Sequence, residues 1–176
     1  EKGLLKPLFV FVPRAPEAFD DIFKKIEKAG LSVVRRSESF SDDLQPNTLF
    51  DWNNIDVFLG DSFGEMYFYL TLCDHVVAGG GFWHTGAHNI IEQLQLHKPV
   101  TVGPEIWTIK FPALQAEEAG LVKVVKDPIE LKSNLCLFLE NNIANKISKN
   151  KFERFLKVYA GASYRTLEML ESKGLI

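Results

Sequence analysis

Short runs of β-branched and aromatic residues alternate along this chain with stretches whose apolar positions recur at helical spacing. Leu8–Val12 reads as a buried strand and Pro16–Ala29 as a helix, with Pro16 suited to a first helical turn and Gly30 to a C-terminal stop. Ser32–Arg36 predicts a second strand. Residues 38–50, carrying Ser41-Asp42-Asp43 and Pro46-Asn47, read as a loop. Ile55–Leu59 predicts a strand, Gly64–Leu72 a short helix, His75–Ala78 a strand, Asn89–Leu96 a helix and Pro99–Val102 a strand. A helix near Phe111–Ala119, a strand at Leu121–Val125 and a helix near Pro128–Asn141 follow. This alternation implies βαβ units, so the predicted fold class is α/β, a Rossmann-like doubly wound parallel sheet.

The last stretch departs from that rhythm. Between Lys146 and Ile176 seven basic residues stand against three acids, and Phe152, Phe155, Leu156 and Tyr159 fall at helical spacing. The chain therefore divides into a Rossmann-like domain at residues 1–145 and a basic amphipathic helix within residues 146–176. The plain reading lays the apolar stripe of this helix on the core. The sharper readings send it across to an absent partner domain, or onto anionic lipid.

Composition narrows the function classes. A length of 176 residues suits one ordinary α/β domain with a real core, and 46% hydrophobic residues fit a soluble globular chain. No apolar run approaches the roughly 20 residues of a membrane-spanning helix. A net charge of −3 argues against a dedicated nucleic-acid binder. The start, Glu1-Lys2-Gly3, is neither an initiator methionine nor a signal peptide and reads as a fragment or a processed chain. Cys73 and Cys136 share no metal or redox spacing and sit in apolar stretches, which predicts buried free thiols.

In an open parallel sheet ligands bind at the carboxyl ends of the strands, and four loops there carry unusual residues. Arg14, after the first strand, reads equally as a fork onto a phosphate or as a solvated surface arginine. In Gly60-Asp61-Ser62-Phe63-Gly64-Glu65, Ser62 and Glu65 have the spacing of a capping box, which accounts for both without a ligand. Gly64, costly in a first helical turn, would let a flat base or a ribose approach the backbone. The richest loop runs from Gly79, Gly80 and Gly81 through Gly86, His88 and Asn89 to Glu92. It reads as a phosphate cradle, although it is neither a Walker loop nor a GxGxxG dinucleotide motif. Asn89 and Glu92 also have cap-like spacing, so Glu92 is either a helix-end residue or an acceptor for two ribose hydroxyls. His88 is either a donor to a phosphate or sugar carboxylate, or a plain loop histidine. The fourth loop, Gly103-Pro104-Glu105, either closes a pocket or is a turn. No DxD motif or clustered ligand set predicts a metal site, and there is no GxSxG elbow.

Taken in order, these loops resemble the C-terminal domain of the 3-deoxy-D-manno-octulosonic acid (Kdo) transferases. The resemblance rests on Val12-Pro13-Arg14 with Pro16-Glu17 and Phe19-Asp20, on Arg35-Arg36-Ser37, and on Leu59-Gly60-Asp61-Ser62 with Gly64-Glu65. Gly79-Gly80, Gly86, His88-Asn89, Glu92, Lys98-Pro99-Val100 and Gly103-Pro104 complete it. The departures are equally specific. The family typically has His where Ala15 stands, Arg at Ala18, Ser at Gly81, Gly at Ala87 and Pro at Ile90.

The resemblance implies the C-terminal half of a GT-B glycosyltransferase that takes CMP-Kdo as donor and a lipid A precursor as acceptor. It implies donor contacts from Arg14, Ser62, Gly64, Glu65, Gly79, Gly80, Gly81, Gly86, His88, Asn89 and Glu92. Arg14 and the glycine loop would meet the phosphate, Gly64 and its neighbours the cytosine, and Glu92 the ribose. It also implies a metal-independent, inverting transfer without a cofactor, at the cytoplasmic face of the bacterial inner membrane. The catalytic base would belong to the absent N-terminal domain, leaving this chain inactive alone. The alternatives are a GT-B relative using another nucleotide sugar (a UDP-sugar transferase or an epimerase) and a non-catalytic nucleotide-binding domain.

Overall fold

The computed structural model describes residues 6–47, 50–141 and 147–176. Its chain forms two compact units. One takes the residues up to Cys73 together with Leu139–Asn141; the other takes Asp74–Phe138 and the described residues from 147 onward. The boundary expected at 145/146, the residue Lys146 and the start Glu1-Lys2-Gly3 lie outside the described residues.

The first unit is built on β1 (Phe9–Phe11), β2 (Val33–Arg35) and β3 (Val57–Leu59), all parallel in the order β1-β3-β2. β3 is central, and its unbroken apolar run Val57-Phe58-Leu59 is wholly buried, as a strand covered on both faces requires. Rings of Phe40, Trp52, Phe68 and Tyr69 surround Phe58 at centroid distances of 5.5–6.5 Å. Between β1 and β2 a 3-10 turn (Pro16–Ala18) leads into α1 (Phe19–Lys28), whose early Asp20 and Asp21 and late Lys25 and Lys28 suit the helix dipole. Arg36, expected as strand, instead opens a helical turn, α2 (Arg36–Ser39), closed by the Ser39 hydroxyl donating to the Arg35 carbonyl. The predicted loop at 38–50 therefore begins as helix, and an isolated bridge pairs Phe40 with Pro46. Thr48 and Leu49 lie outside the described residues.

The second unit repeats the plan with β4 (Val76–Ala78), β5 (Val100–Val102) and β6 (Val122–Val124), parallel in the order β4-β5-β6. Here β5 is central and fully buried. Around it stand α4 (Ile91–Gln95), α5 (Lys110–Glu118), α6 (Pro128–Asn141, as far as Phe138) and α7 (Lys149–Tyr159), and the chain continues into α8 (Ala162–Ser172), which buries no residue. Ile90, Leu94, Val100, Val102, Leu121 and Phe152 are almost inaccessible to solvent. Within α5, Phe111 is extended (φ −101°, ψ 125°), the conformation favoured before Pro112, so regular helix starts only after it. α6 opens with a cap that the sequence reading missed: the Asp127 carboxylate accepts from Glu130 N–H (2.7 Å) and Glu130 reaches back to Lys126 N–H (2.9 Å).

The terminal segment is two helices rather than one, because the chain turns through extended Ala160 and left-handed Gly161 (φ +77°). α7 follows the plain reading, burying Phe152 and Phe155 in the core of the second unit. Cys73 and Cys136 form no disulfide, but Cys136 is exposed and Cys73 only half-buried, against the expectation that both are buried. Among the described residues no helix is long and apolar enough to cross a membrane.

A buried polar chain crosses the second unit. Thr101 on β5 donates its hydroxyl proton to Asn134 Oδ1 (2.8 Å) and so accepts from His75 Nε2–H (2.8 Å). Burial pushes the His75 imidazole down to about 4 from its ordinary 6.5. Its folded value lies below its unfolded one, so the unfolded chain takes up the proton first as pH falls. This contribution to stability is complete above about pH 6.5 and is lost toward pH 4, with a slope approaching about 1.4 kcal/mol per pH unit. Urea unfolding at pH 7 and pH 5 is expected to show a smaller acid loss in His75→Gln than in the parent chain. Equal losses would contradict the assignment.

Candidate functional site

At the carboxyl end of β4, Gly79, Gly80 and Gly81 pass directly into a turn. A Cβ on Gly81 would stand 2.7 Å from Gly103 N and 3.0 Å from Val102 Cγ2, so the loops after β4 and β5 meet backbone to backbone. Hydrogen bonds hold that contact. Glu105 N–H donates to Gly81 O (2.9 Å), Ala87 N–H to Glu105 O (2.8 Å), and His88 N–H to Gly79 O (3.0 Å). The Thr108 hydroxyl donates to Ala87 O (2.5 Å) and Trp107 Nε1–H to His84 O (3.3 Å). The loop beginning Gly103-Pro104-Glu105 is thus a scaffold for the glycine segment. Among the described residues no backbone hydrogen bond takes the N–H of Gly80, Gly81 or Phe82, which suits an anion cradle.

The cap-like pair further along is only half a cap. α4 begins at Ile91, later than the predicted Asn89, and Asn89 Oδ1 accepts from Ile91 N–H (3.1 Å). Among the described residues no hydrogen bond or ion pair engages the half-buried Glu92 carboxylate, so the reciprocal arm of a capping box is missing. Its oxygens are open to a ligand. His88 is exposed, Gly86 is buried against Thr108 and Trp107, and the Trp83 side chain of the same segment is exposed.

A cavity of about 110 Å³, lined by His75, Pro99, Leu121, Asn134, Phe138 and Ile147, lies at the amino ends of these strands. It is at the end opposite the glycine segment and contains none of the predicted site residues. Ligand chemistry in parallel sheets belongs at the carboxyl ends, so the glycine segment remains the candidate.

In the first unit, Arg14 is exposed just beyond β1, and the loop Gly60–Glu65 follows β3, with Gly60 N–H donating to Phe11 O (2.9 Å). The capping box predicted for Ser62 and Glu65 does not form. α3 runs Met66–Leu72, starting two residues later than expected, and Glu65 itself precedes it without a side-chain cap bond. Ser62 Oγ instead donates to the Glu65 carboxylate and meets Tyr69 OH, while Arg36 forms an ion pair with the other Glu65 oxygen. Burial, with Glu65 close by, pushes the Tyr69 phenol up to about 12 against the lowering effect of Ser62. Gly64 lies outside the helix at φ +77°, a turn conformation that favours glycine, with open space where a Cβ would stand. Beside it Phe63 is 76% exposed.

Ser62, Gly64 and Glu65 therefore share one loop of the first unit, with Arg14 beyond the neighbouring strand. Gly79, Gly80, Gly81, Gly86, His88, Asn89 and Glu92 share one segment of the second unit. Residue-level reading missed Thr108, Trp107 and Tyr69, and Arg36 entered only within the resemblance. The signal for Tyr69 was its i, i+4 spacing from Glu65; Thr108 and Trp107 gave none.

No family model matches the chain. It is 32% identical over 166 residues to the 3-deoxy-D-manno-octulosonic acid transferase of Bordetella pertussis, covering 94% of this chain and 37% of that protein. The Haemophilus influenzae protein of the same name is 29% identical and that of Chlamydia trachomatis serovar D 27%, each over 93% of this chain and 36% of the relative. The chain thus spans little more than a third of the length of these relatives. Among solved structures it is similar to the C-terminal CMP-Kdo binding domain of WaaA from Acinetobacter baumannii. That match has a TM-score of 0.68 and 25% identity, covering 84% of this chain and 72% of the other.

Proposed function

The chain is a relative of the Kdo transferases along nearly its whole length, and from that premise we propose that it is the donor-binding part of such an enzyme. The observation that carries the reading is the glycine segment after β4. Among the described residues no backbone hydrogen bond takes its Gly80, Gly81 and Phe82 N–H groups and no hydrogen bond engages the Glu92 carboxylate, at the strand end of a fold similar to a CMP-Kdo binding domain. The donor is CMP-Kdo, and the whole protein transfers the sugar to a lipid A precursor at the cytoplasmic face of the inner membrane. Gly79, Gly80, Gly81 and Gly86 with His88 and Asn89 receive the phosphate, and Glu92 accepts from the ribose hydroxyls. Arg14, Ser62 and Gly64 are further donor contacts, and Glu65 belongs to the loop that carries Ser62 and Gly64.

The transfer is inverting and needs neither metal nor cofactor. The general base, which removes the acceptor proton, is assigned to the part of the relatives that this chain does not span. α8, with Tyr164 and Leu167 exposed, is the element that crosses to it.

Titration of CMP into Glu92→Ala is expected to show an affinity lower by about 1.5 kcal/mol, roughly tenfold, the cost of leaving ribose hydroxyls without their acceptor. Unchanged affinity per folded molecule would make Glu92 a helix-end residue only.

A further inference from the structure

We propose that Arg36, Glu65 and Tyr69 are positioning residues that hold the Ser62-Phe63-Gly64 turn in a donor-binding shape without touching the donor. The inference rests on the donor-site reading of this loop and changes the role of Glu65 within it.

Both oxygens of the Glu65 carboxylate are already engaged. Arg36 NH2 donates to Oε1, Ser62 Oγ donates to Oε2, and Tyr69 OH lies 3.4 Å from Oε2. The Ser62 hydroxyl has a single proton and spends it on Glu65, so it has none for a ligand. Arg36 is 4% exposed, donates to Phe40 O from NH1 (3.2 Å), and its Nε has no partner among the described residues. A guanidinium so buried has Glu65 as its counter-charge, and each group fixes the other. Tyr69 is 3% exposed, and its ring occupies the space beside Gly60, where a Cβ would come within 2.7 Å of Cζ.

The other end of the loop is pinned from the same element. Ser37 N–H and Oγ donate to the Asp61 carboxylate at 2.9 and 2.6 Å, and Arg35 NH1 lies 3.5 Å from it. Arg35 also pairs with Asp20 (2.6 Å) over the Phe23 ring, which ties it to α1. The triplet Arg35-Arg36-Ser37 therefore grips Asp61 and Glu65, four residues apart, and leaves only Ser62, Phe63 and Gly64 between the grips. Among the described residues no hydrogen bond takes the N–H of Ser62, Phe63 or Gly64. A turn clamped on both sides, with its N–H groups unspent, presents donors in a fixed array at no cost in ordering.

The test uses the full chain with CMP as probe and compares Glu65→Gln, Tyr69→Phe, Arg36→Met and Arg36→Lys. Calorimetric affinity per folded molecule is read beside amide hydrogen exchange at Ser62, Phe63 and Gly64. Glu65→Gln and Arg36→Met are expected to weaken CMP about tenfold and to speed exchange at those amides, with Arg36→Lys recovering part of both. Tyr69→Phe, which keeps the ring and its packing, is expected to weaken CMP about threefold while folding as the parent does. Parent-like affinity and exchange in Tyr69→Phe and Glu65→Gln would overturn the proposal. So would weakened CMP with unchanged exchange, which marks Glu65 as a direct contact. If the parent chain binds no CMP, the donor-site reading fails by itself, and faster exchange in the variants still upholds the clamp.

Discussion

Phe152→Ala is expected to lower the unfolding free energy by about 3–5 kcal/mol, the usual cost of emptying a large buried aromatic site. The Phe152 side chain is 1% exposed in the core of the second unit, its ring 5.7 Å from that of His97, and it anchors α7 in company with Phe155. The urea midpoint is the measurement. A midpoint within the error of the parent would show that α7 is not part of the core, and the crossing proposed for α8 would extend to α7. Leu156 and Tyr159, at the same helical spacing, pack against that core only partly buried, and smaller losses are expected there.

Gly81→Ser, the residue implied here by the resemblance to the Kdo transferases, is expected to destabilise this chain by about 2–3 kcal/mol. The new Cβ would meet Gly103 N at 2.7 Å, Gly103 Cα at 3.0 Å and Val102 Cγ2 at 3.0 Å. Two of those three atoms are backbone, which cannot step aside as a flexible side chain would. Relief requires the loops after β4 and β5 to separate, which breaks the bond from Glu105 N–H to Gly81 O. The same movement disorders the N–H groups that the proposed phosphate site uses, so CMP affinity is expected to fall with stability. Stability equal to the parent, measured by urea unfolding, would mean that the loops part without penalty and that the cradle is not fixed as described.

The sequence made the elements and their type legible wherever an apolar run was bounded by a turn signal. Val57-Phe58-Leu59 and Val100-Thr101-Val102 lie in runs read as strands, and both are central and buried, whereas Leu8–Val12, read as a buried strand, leaves Phe9 and Phe11 half exposed. Where local pattern competed with tertiary partners, it misled. Ser62 and Glu65 have capping-box spacing, but the buried Arg36 supplies a stronger partner for Glu65 than the end of a helix does. Asn89 and Glu92 have the same spacing and form only one of the two bonds. Strand order in the first sheet, β1-β3-β2, lay beyond reach, since nothing local tells which neighbour a strand will choose. In the candidate site the glycines and Glu92 were legible as chemistry. Thr108 and Trp107 were not, because their role is to hold backbone carbonyls some 20 residues away in sequence.

The central claim, a CMP-sugar donor site, is tested most directly by calorimetric titration of the chain with CMP and, separately, with UDP. The account predicts saturable binding of CMP, and binding of UDP weaker by about tenfold or more. Tighter binding of UDP than of CMP, or no heat from either nucleotide, would contradict it.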